Sequence, residues 1–153
     1  MAIKEKMDKL EEYLTMEFHP QLIVVVNQSI IELQKVSDFL GSQYHYPCVY
    51  VNKELSKILV SKPNVNFLGD IVSWFYSIID KHKISPIIIR DIDFLFEPSF
   101  KLDPLVIFRQ ASRNRKLLVF WPGEYINNKL SYATPEHAHY RTWGNPGIEI
   151  LNV

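Results

Sequence analysis

The sequence predicts a three-layer α/β domain with a mostly parallel sheet between helices, and two observations predict it. Short apolar runs recur at 22–26, 48–51, 86–90 and 117–121, each separated from the next by helical patterning. Strands that alternate with helices in this way pair in parallel, and the crossover helices cover both sheet faces. The third run is the most informative. Pro86-Ile-Ile-Ile-Arg-Asp-Ile-Asp93 begins with consecutive apolar residues, as a strand buried on both faces requires, and ends in acids. Its carboxylates therefore emerge at the C-terminal edge of the sheet, where open α/β folds bind ligands.

Each element follows from local signals. Ile3, Met7, Leu10 and Leu14 form one apolar stripe among Lys, Glu and Asp, so the segment 1–19 reads as an N-terminal docking helix. It should stop before His19-Pro20, because the residue preceding proline avoids the α region. Leu22–Val26 is the first strand. Asn27-Gln28-Ser29 turns into a helix over 30–40, with Ser29 placed to cap it and Gly41 placed to end it. Pro47–Val51 is the second strand. Asn52 is placed to cap a short helix through Leu55, Ile58 and Leu59, which Lys62-Pro63-Asn64 breaks.

Phe67, Leu68, Ile71, Val72, Phe75, Ile78 and Ile79 give the clearest helical stripe, with Trp74 and Tyr76 beside it. After the acidic strand and the Glu97-Pro98 turn, Asp103-Pro104 starts a helix, with Asp as cap and Pro at the first helical position. That helix should run to about Asn114, followed by the strand Leu117–Trp121, closed by Pro122-Gly123. The tail, 124–153, reads as short strands around 130–133 and 147–151. The whole chain, 1–153, reads as a single domain.

Composition narrows the function classes. A hydrophobic fraction of 47% and an aromatic fraction of 13% argue for a packed globule and against disorder. Seventeen basic residues balance seventeen acidic ones, so no global field draws the chain to nucleic acid or anionic membrane. The single cysteine, Cys48, makes no internal disulfide, and the N-terminus carries no signal-peptide pattern, so a cytoplasmic protein is expected. No apolar stretch reaches the roughly 18 residues of a membrane span.

Two stretches bear on chemistry. A hydrophobic strand ending in acids has the form of a Walker B element, whose Asp holds Mg²⁺. The strand–turn–helix at 22–40 is the setting of a phosphate-binding loop, but the loop chemistry is missing. Such a loop needs glycines for its backbone N–H groups to wrap phosphate, plus a Lys and a Ser or Thr. The glycines lie at 41, 69, 123, 144 and 147, and Lys35 falls about two turns inside the helix. Asn27, Gln28, Ser29, Arg90, Asp91 and Asp93 thus occupy the positions of a degenerate nucleotide site. Arg109 and Arg113, four apart on one helix, and Arg115 just beyond read either as cations at a helix C-terminus or as a patch facing an anion or a partner. His137 and His139 fall on one side of an extended segment but have no third ligand, and no metal site is expected.

From Val49 to Leu151 the chain resembles the small P-loop protein of type 3 BREX phage-defence systems. The resemblance is carried by Tyr50-Val-Asn-Lys-Glu-Leu-Ser56, Ile92-Asp-Phe-Leu-Phe-Glu-Pro98, Lys101-Leu-Asp-Pro-Leu105 and Ser112-Arg-Asn-Arg115. Trp121-Pro-Gly123, Leu130-Ser-Tyr-Ala-Thr-Pro-Glu-His137 and Tyr140-Arg141 complete it. It implies a P-loop NTPase-like fold with a Gly-Lys-Ser/Thr loop after the first strand and an acidic second element. The chain departs at both. Val26 runs into Asn27-Gln-Ser-Ile, and Arg90 stands at the metal-binding Asp position, with Asp91 in place of the following Glu. A one-residue slip restores Asp91 as the ligand.

Losing the lysine and the phosphate cradle removes the main electrostatic stabilisation of phosphoryl transfer. The expectation is therefore a pseudo-ATPase with no catalytic residues and no cofactor, acting in a phage-defence complex by binding other subunits. The resemblance implies other defence-system proteins as partners, a large ATPase among them, with self-assembly and nucleic acid reached through partners as further options. Two alternatives stand beside it. One is a residual binder of Mg-ATP, or a weak ATPase, completed by assembly. The other is a nucleic-acid-binding module using the arginine patch and exposed aromatics.

Overall fold

The computed structural model describes residues 3–15, 21–61, 67–84 and 86–153. The predicted N-terminal helix is present as α1 (Ile3–Thr15), while its predicted stop at His19-Pro20 and the break at 62–64 lie outside the described residues. The remaining elements are β1 (Leu22–Asn27), α2 (Ile30–Tyr44), β2 (Cys48–Tyr50), α3 (Val51–Ser61), α4 (Phe67–Lys81), β3 (Ile87–Arg90), α5 (Pro104–Ala111), β4 (Leu117–Ile126), β5 (Lys129–Tyr132), β6 (Arg141–Gly144) and β7 (Glu149–Asn152). Two 3₁₀ turns, Asp93–Phe96 and Pro98–Phe100, join β3 to α5.

The sheet order is β2-β3-β4-β1-β7, and every neighbouring pair on that path is parallel. Alternation of side chains along these strands creates two cores. Val24, Val26, Ile87, Ile89, Leu117, Val119 and Trp121 face α3, α4 and α5. Ile23, Val25, Ile88, Leu118 and Phe120 face α1 and α2 through Met7, Leu10, Leu33, Val36 and Leu40. A strand apolar at every position is what a sheet covered on both sides needs. The result is the predicted three-layer α/β arrangement, with the four predicted strands parallel in one sheet.

Several boundaries differ from the sequence reading. Gly41 does not end α2: the helix runs to Tyr44, and His45, left-handed at φ 57°, caps it by donating its N–H to the Gly41 carbonyl. Asn52 does not cap α3, which already begins at Val51, directly after β2. The helix from Asp103 stops at Ala111 rather than near Asn114, although Asp103 caps it as expected through Leu105 and Val106 N–H. β4 is not closed by Pro122-Gly123 but continues to Ile126 and folds back antiparallel onto β5, which in turn pairs with β6, a strand the sequence did not signal. His137 and His139 lie in turns between β5 and β6, not in an extended segment.

This hairpin requires Gly123. A Cβ there would sit 1.9 Å from the Ser131 carbonyl oxygen, so the two strands approach only because position 123 has no side chain. The same carbonyl accepts a hydrogen bond from Trp121 Nε1 at 2.9 Å. Phe96 stacks on Tyr132 with ring centroids 3.7 Å apart, and Trp143 meets Trp121 edge-on at 5.2 Å. These rings fasten the hairpin over the C-terminal edge of the sheet.

Candidate functional site

The site is built where the chain leaves β1 and β3. From β1 it turns to α2 on one face, and from β3 it turns towards α5 on the other, with β4 between them. Connections that diverge to opposite faces leave a crevice at the carboxyl ends of the strands. Of the six residues named from the sequence, Gln28 and Asp93 line one hollow at these strand ends, with the β4–β5 hairpin as a further wall, and Arg90, Asp91 and Asp93 line a second beside it.

The β1–α2 turn is closed on itself. Asn27 Oδ1 accepts the Ser29 N–H at 2.7 Å, and Ser29 Oγ accepts the Glu32 N–H at 3.3 Å. Asn27 Nδ2 donates to the Val153 carbonyl at 2.5 Å, which ties the end of β1 to the end of the chain. Gln28 donates to the Glu124 carboxylate across the crevice. An Asx turn followed by a serine cap satisfies donors that a phosphate-binding loop would present to its ligand. Through the Gln28 bond the Glu124 carboxylate lies beside the turn.

Arg90 is committed to structure. Its side chain leaves β3 on the α2 face, is only 7% exposed, and donates from Nη1 to Ser37 Oγ at 2.8 Å and to Asp38 Oδ1 at 2.6 Å. Nε lies 3.6 Å from Asp91 Oδ1, and the guanidinium sits 5.1 Å from the Tyr50 ring centre. Burial opposes its charge, but the hydrogen bond to Asp38 and the charges of Asp91 and Asp38 outweigh that, and its pKa is raised. Asp91 takes a left-handed backbone at φ 53°, and its carbonyl accepts the Asn52 N–H at 2.8 Å. A cavity of about 20 Å³ beside Arg90, Asp91 and Phe120 has room for about one water.

The Asp93 carboxylate is held by two donors. Tyr132 donates its hydroxyl to Oδ1 at 2.6 Å, and Asn52 Nδ2 lies 3.5 Å from Oδ2. Asn52 Oδ1 in turn accepts the Phe94 N–H at 2.9 Å. Burial, then the bond and charge of Asp93, hold the Tyr132 phenol far above the usual tyrosine range, so Tyr132 stays a neutral donor. Asn52, Gly123, Glu124 and Tyr132 are the site residues that sequence reasoning missed. Tyr132 lay inside a motif segment with no assigned role and Asn52 was read only as a helix cap, because their partner, Asp93, is 39 and 41 residues away.

Compared with known protein families, curated proteins and solved structures, the chain matches none.

Arg109, Arg113 and Arg115 each have their own neighbours. Because α5 ends at Ala111, Arg113 lies in the turn beyond it rather than on one helical face with Arg109. Arg109 borders a hollow with Leu22, Gly147 and Glu149, whereas Arg113 borders another with Tyr76, Asp80 and Asn114. Arg115 donates to the carbonyls of His82 and Asn114 at 3.2 and 2.9 Å. Leu22 and Glu149 begin their strands, so Arg109 sits at the sheet edge opposite the crevice. His137 Nδ1 accepts the His139 N–H at 2.9 Å, and His139 Nε2 lies 3.4 Å from Glu97. Among the described residues no group of three His, Cys, Asp or Glu side chains gathers to hold a metal, and no helix is long and apolar enough to cross a membrane.

Proposed function

We propose that the chain is a non-catalytic, P-loop-like subunit of a BREX-type phage-defence complex, and that it acts by binding other subunits. The observation that carries the non-catalytic part is the closed β1–α2 turn. Its Ser29 and Glu32 N–H groups are already bonded to the Asn27 and Ser29 side chains, which withholds both from a phosphate. Arg90 adds to this: the residue at the metal-ligand position is a guanidinium paired with Asp38. Phosphoryl transfer depends on positioning and on cations aimed at the phosphates, and Arg90, the cation beside the crevice, is engaged by Asp38 and Asp91. The defence assignment rests on the sequence resemblance.

A second reading, a nucleotide binder completed by assembly, draws on one observation. The N-terminus of the 15-residue helix α2 opens towards the crevice, where its dipole favours an anion. The nucleic-acid reading gains nothing comparable, since Arg109 and Arg113 border different hollows and Arg115 is bonded to two backbone carbonyls. The test is co-expression of the tagged chain with the products of its neighbouring genes. The expected result is a stable complex with at least one of them, a large ATPase among the candidates. A chain that elutes alone in the presence of every neighbour overturns the proposal.

A further inference from the structure

Between the start of α2 and the β4–β5 hairpin lies a hollow of about 200 Å³, with Ile30, Pro122, Tyr132, Thr134 and His137 as walls and Asp93 reaching into it. The walls are mostly apolar, and the carboxylate is fixed in orientation by Tyr132 and Asn52. A carboxylate offers about four lone-pair positions, of which these two donors occupy at most two. Among the described residues no Lys or Arg pairs with Asp93: Arg90 is engaged by Asp38 and Asp91, and Arg141 by Asp103. A half-buried carboxylate with unused acceptor capacity and no cation is stabilised by any cation that enters. For an anion the same carboxylate offsets the pull of the α2 N-terminus.

We infer that this hollow is the docking pocket for an arginine side chain carried by a protein partner. The inference rests on the proposed reading that the chain works through protein partners, and it names the chemistry at one contact. A guanidinium is flat and weakly hydrated, so it enters an apolar-walled slot at lower cost than an ammonium. Its two parallel N–H groups match a fixed carboxylate, and its faces suit contact with the exposed His137 ring. Ile30, a wall of the hollow and 51% exposed, offers apolar surface to the residues around such an arginine. Buried arginine anchors ringed by apolar contacts are a recurrent form of interface hot spot.

The test uses the full chain, labelled with ¹⁵N, and titration with a capped Gly-Arg-Gly peptide, followed by amide shifts. The matched control replaces arginine with citrulline, which keeps shape and loses charge. The expected result is saturable shifts at Gly123, Ala133 and Thr134 with the arginine peptide. Citrulline should bind about tenfold more weakly, the loss expected for one charge-assisted pair. Asp93→Asn, which keeps an acceptor for the Tyr132 hydroxyl, should abolish the arginine preference. If that variant does not fold, the arginine–citrulline comparison on the unaltered chain still decides. Absent saturation, equal shifts with citrulline, or shifts mapping away from the hollow overturn the inference. Failure here with a stable complex in co-expression rejects only the pocket; failure of co-expression with arginine binding intact rejects only the proposed function.

Discussion

Replacing Arg90 separates a structural guanidinium from one poised for a ligand. In Arg90→Ala, a charge-assisted hydrogen bond to buried Ser37 is lost, worth about 1.5 kcal/mol. The pair with Asp38 adds about 0.5 kcal/mol, because that carboxylate is 69% exposed and screened. The contact with Tyr50 adds about 0.5 kcal/mol more. Relief of the buried charge offsets part of this, while loss of the packed side-chain stem adds to it. The expected net cost is about 2–3 kcal/mol, read by urea unfolding, or a melting temperature lower by about 4–12 °C for a domain of this size. Ser37 is not orphaned, since its hydroxyl also reaches the Gln34 carbonyl at 3.1 Å. Arg90→Met, which keeps the stem and removes the charge, should therefore fall within about 1 kcal/mol of the parent. An alanine variant as stable as the parent, or a methionine variant as costly as alanine, would refute the reasoning.

Gly123→Ala should cost about 3 kcal/mol and loosen the hairpin, because the new methyl meets the Ser131 carbonyl that also holds Trp121; near-UV circular dichroism should report the change. Stability should fall as pH rises above about 10, since the unfolded chain releases its tyrosine protons there while Tyr132, with its folded pKa raised, keeps its own. Tyr132→Phe should reduce that alkaline slope by about one proton, or about 1.4 kcal/mol per pH unit, at a cost of about 1 kcal/mol at neutral pH for the lost Asp93 bond. Charge reversal of Arg109 and Arg113 together should change stability by less than about 0.5 kcal/mol, both being exposed, and should leave subunit binding intact, which co-elution of the double variant checks.

The sheet was legible because its strands carry the signal in consecutive residues: Leu22–Val26 and Ile87–Ile89 are apolar at every position, and only a doubly covered strand needs that. Asp103-Pro104 and Ser29 marked helix starts through local hydrogen bonding and were read correctly. Ends were less legible. Gly41 looked like a stop, yet α2 continues because Leu40 and Tyr44 bury against the α1 side, and His45 adopts the left-handed cap in its place. β4 ran past Pro122-Gly123 because a missing side chain at 123 admits a second strand, a tertiary reason that local turn chemistry does not reveal. The crevice was half visible. The sequence placed Asn27–Ser29 and Arg90–Asp93 on strand ends, but the Asn52–Asp93–Tyr132 bonds join residues about 40 apart, which no short motif reports.

On the proposed pseudo-ATPase reading, the crevice at the ends of β1 and β3 does not serve a nucleoside triphosphate. Calorimetric titration of the isolated protein with Mg-ATP, paired with a turnover assay, tests it most directly. The closed turn and the paired Arg90 predict no affinity tighter than about millimolar, which corresponds to about 4 kcal/mol of binding free energy, and no hydrolysis. Micromolar binding together with turnover that disappears in Asp91→Asn would contradict the claim.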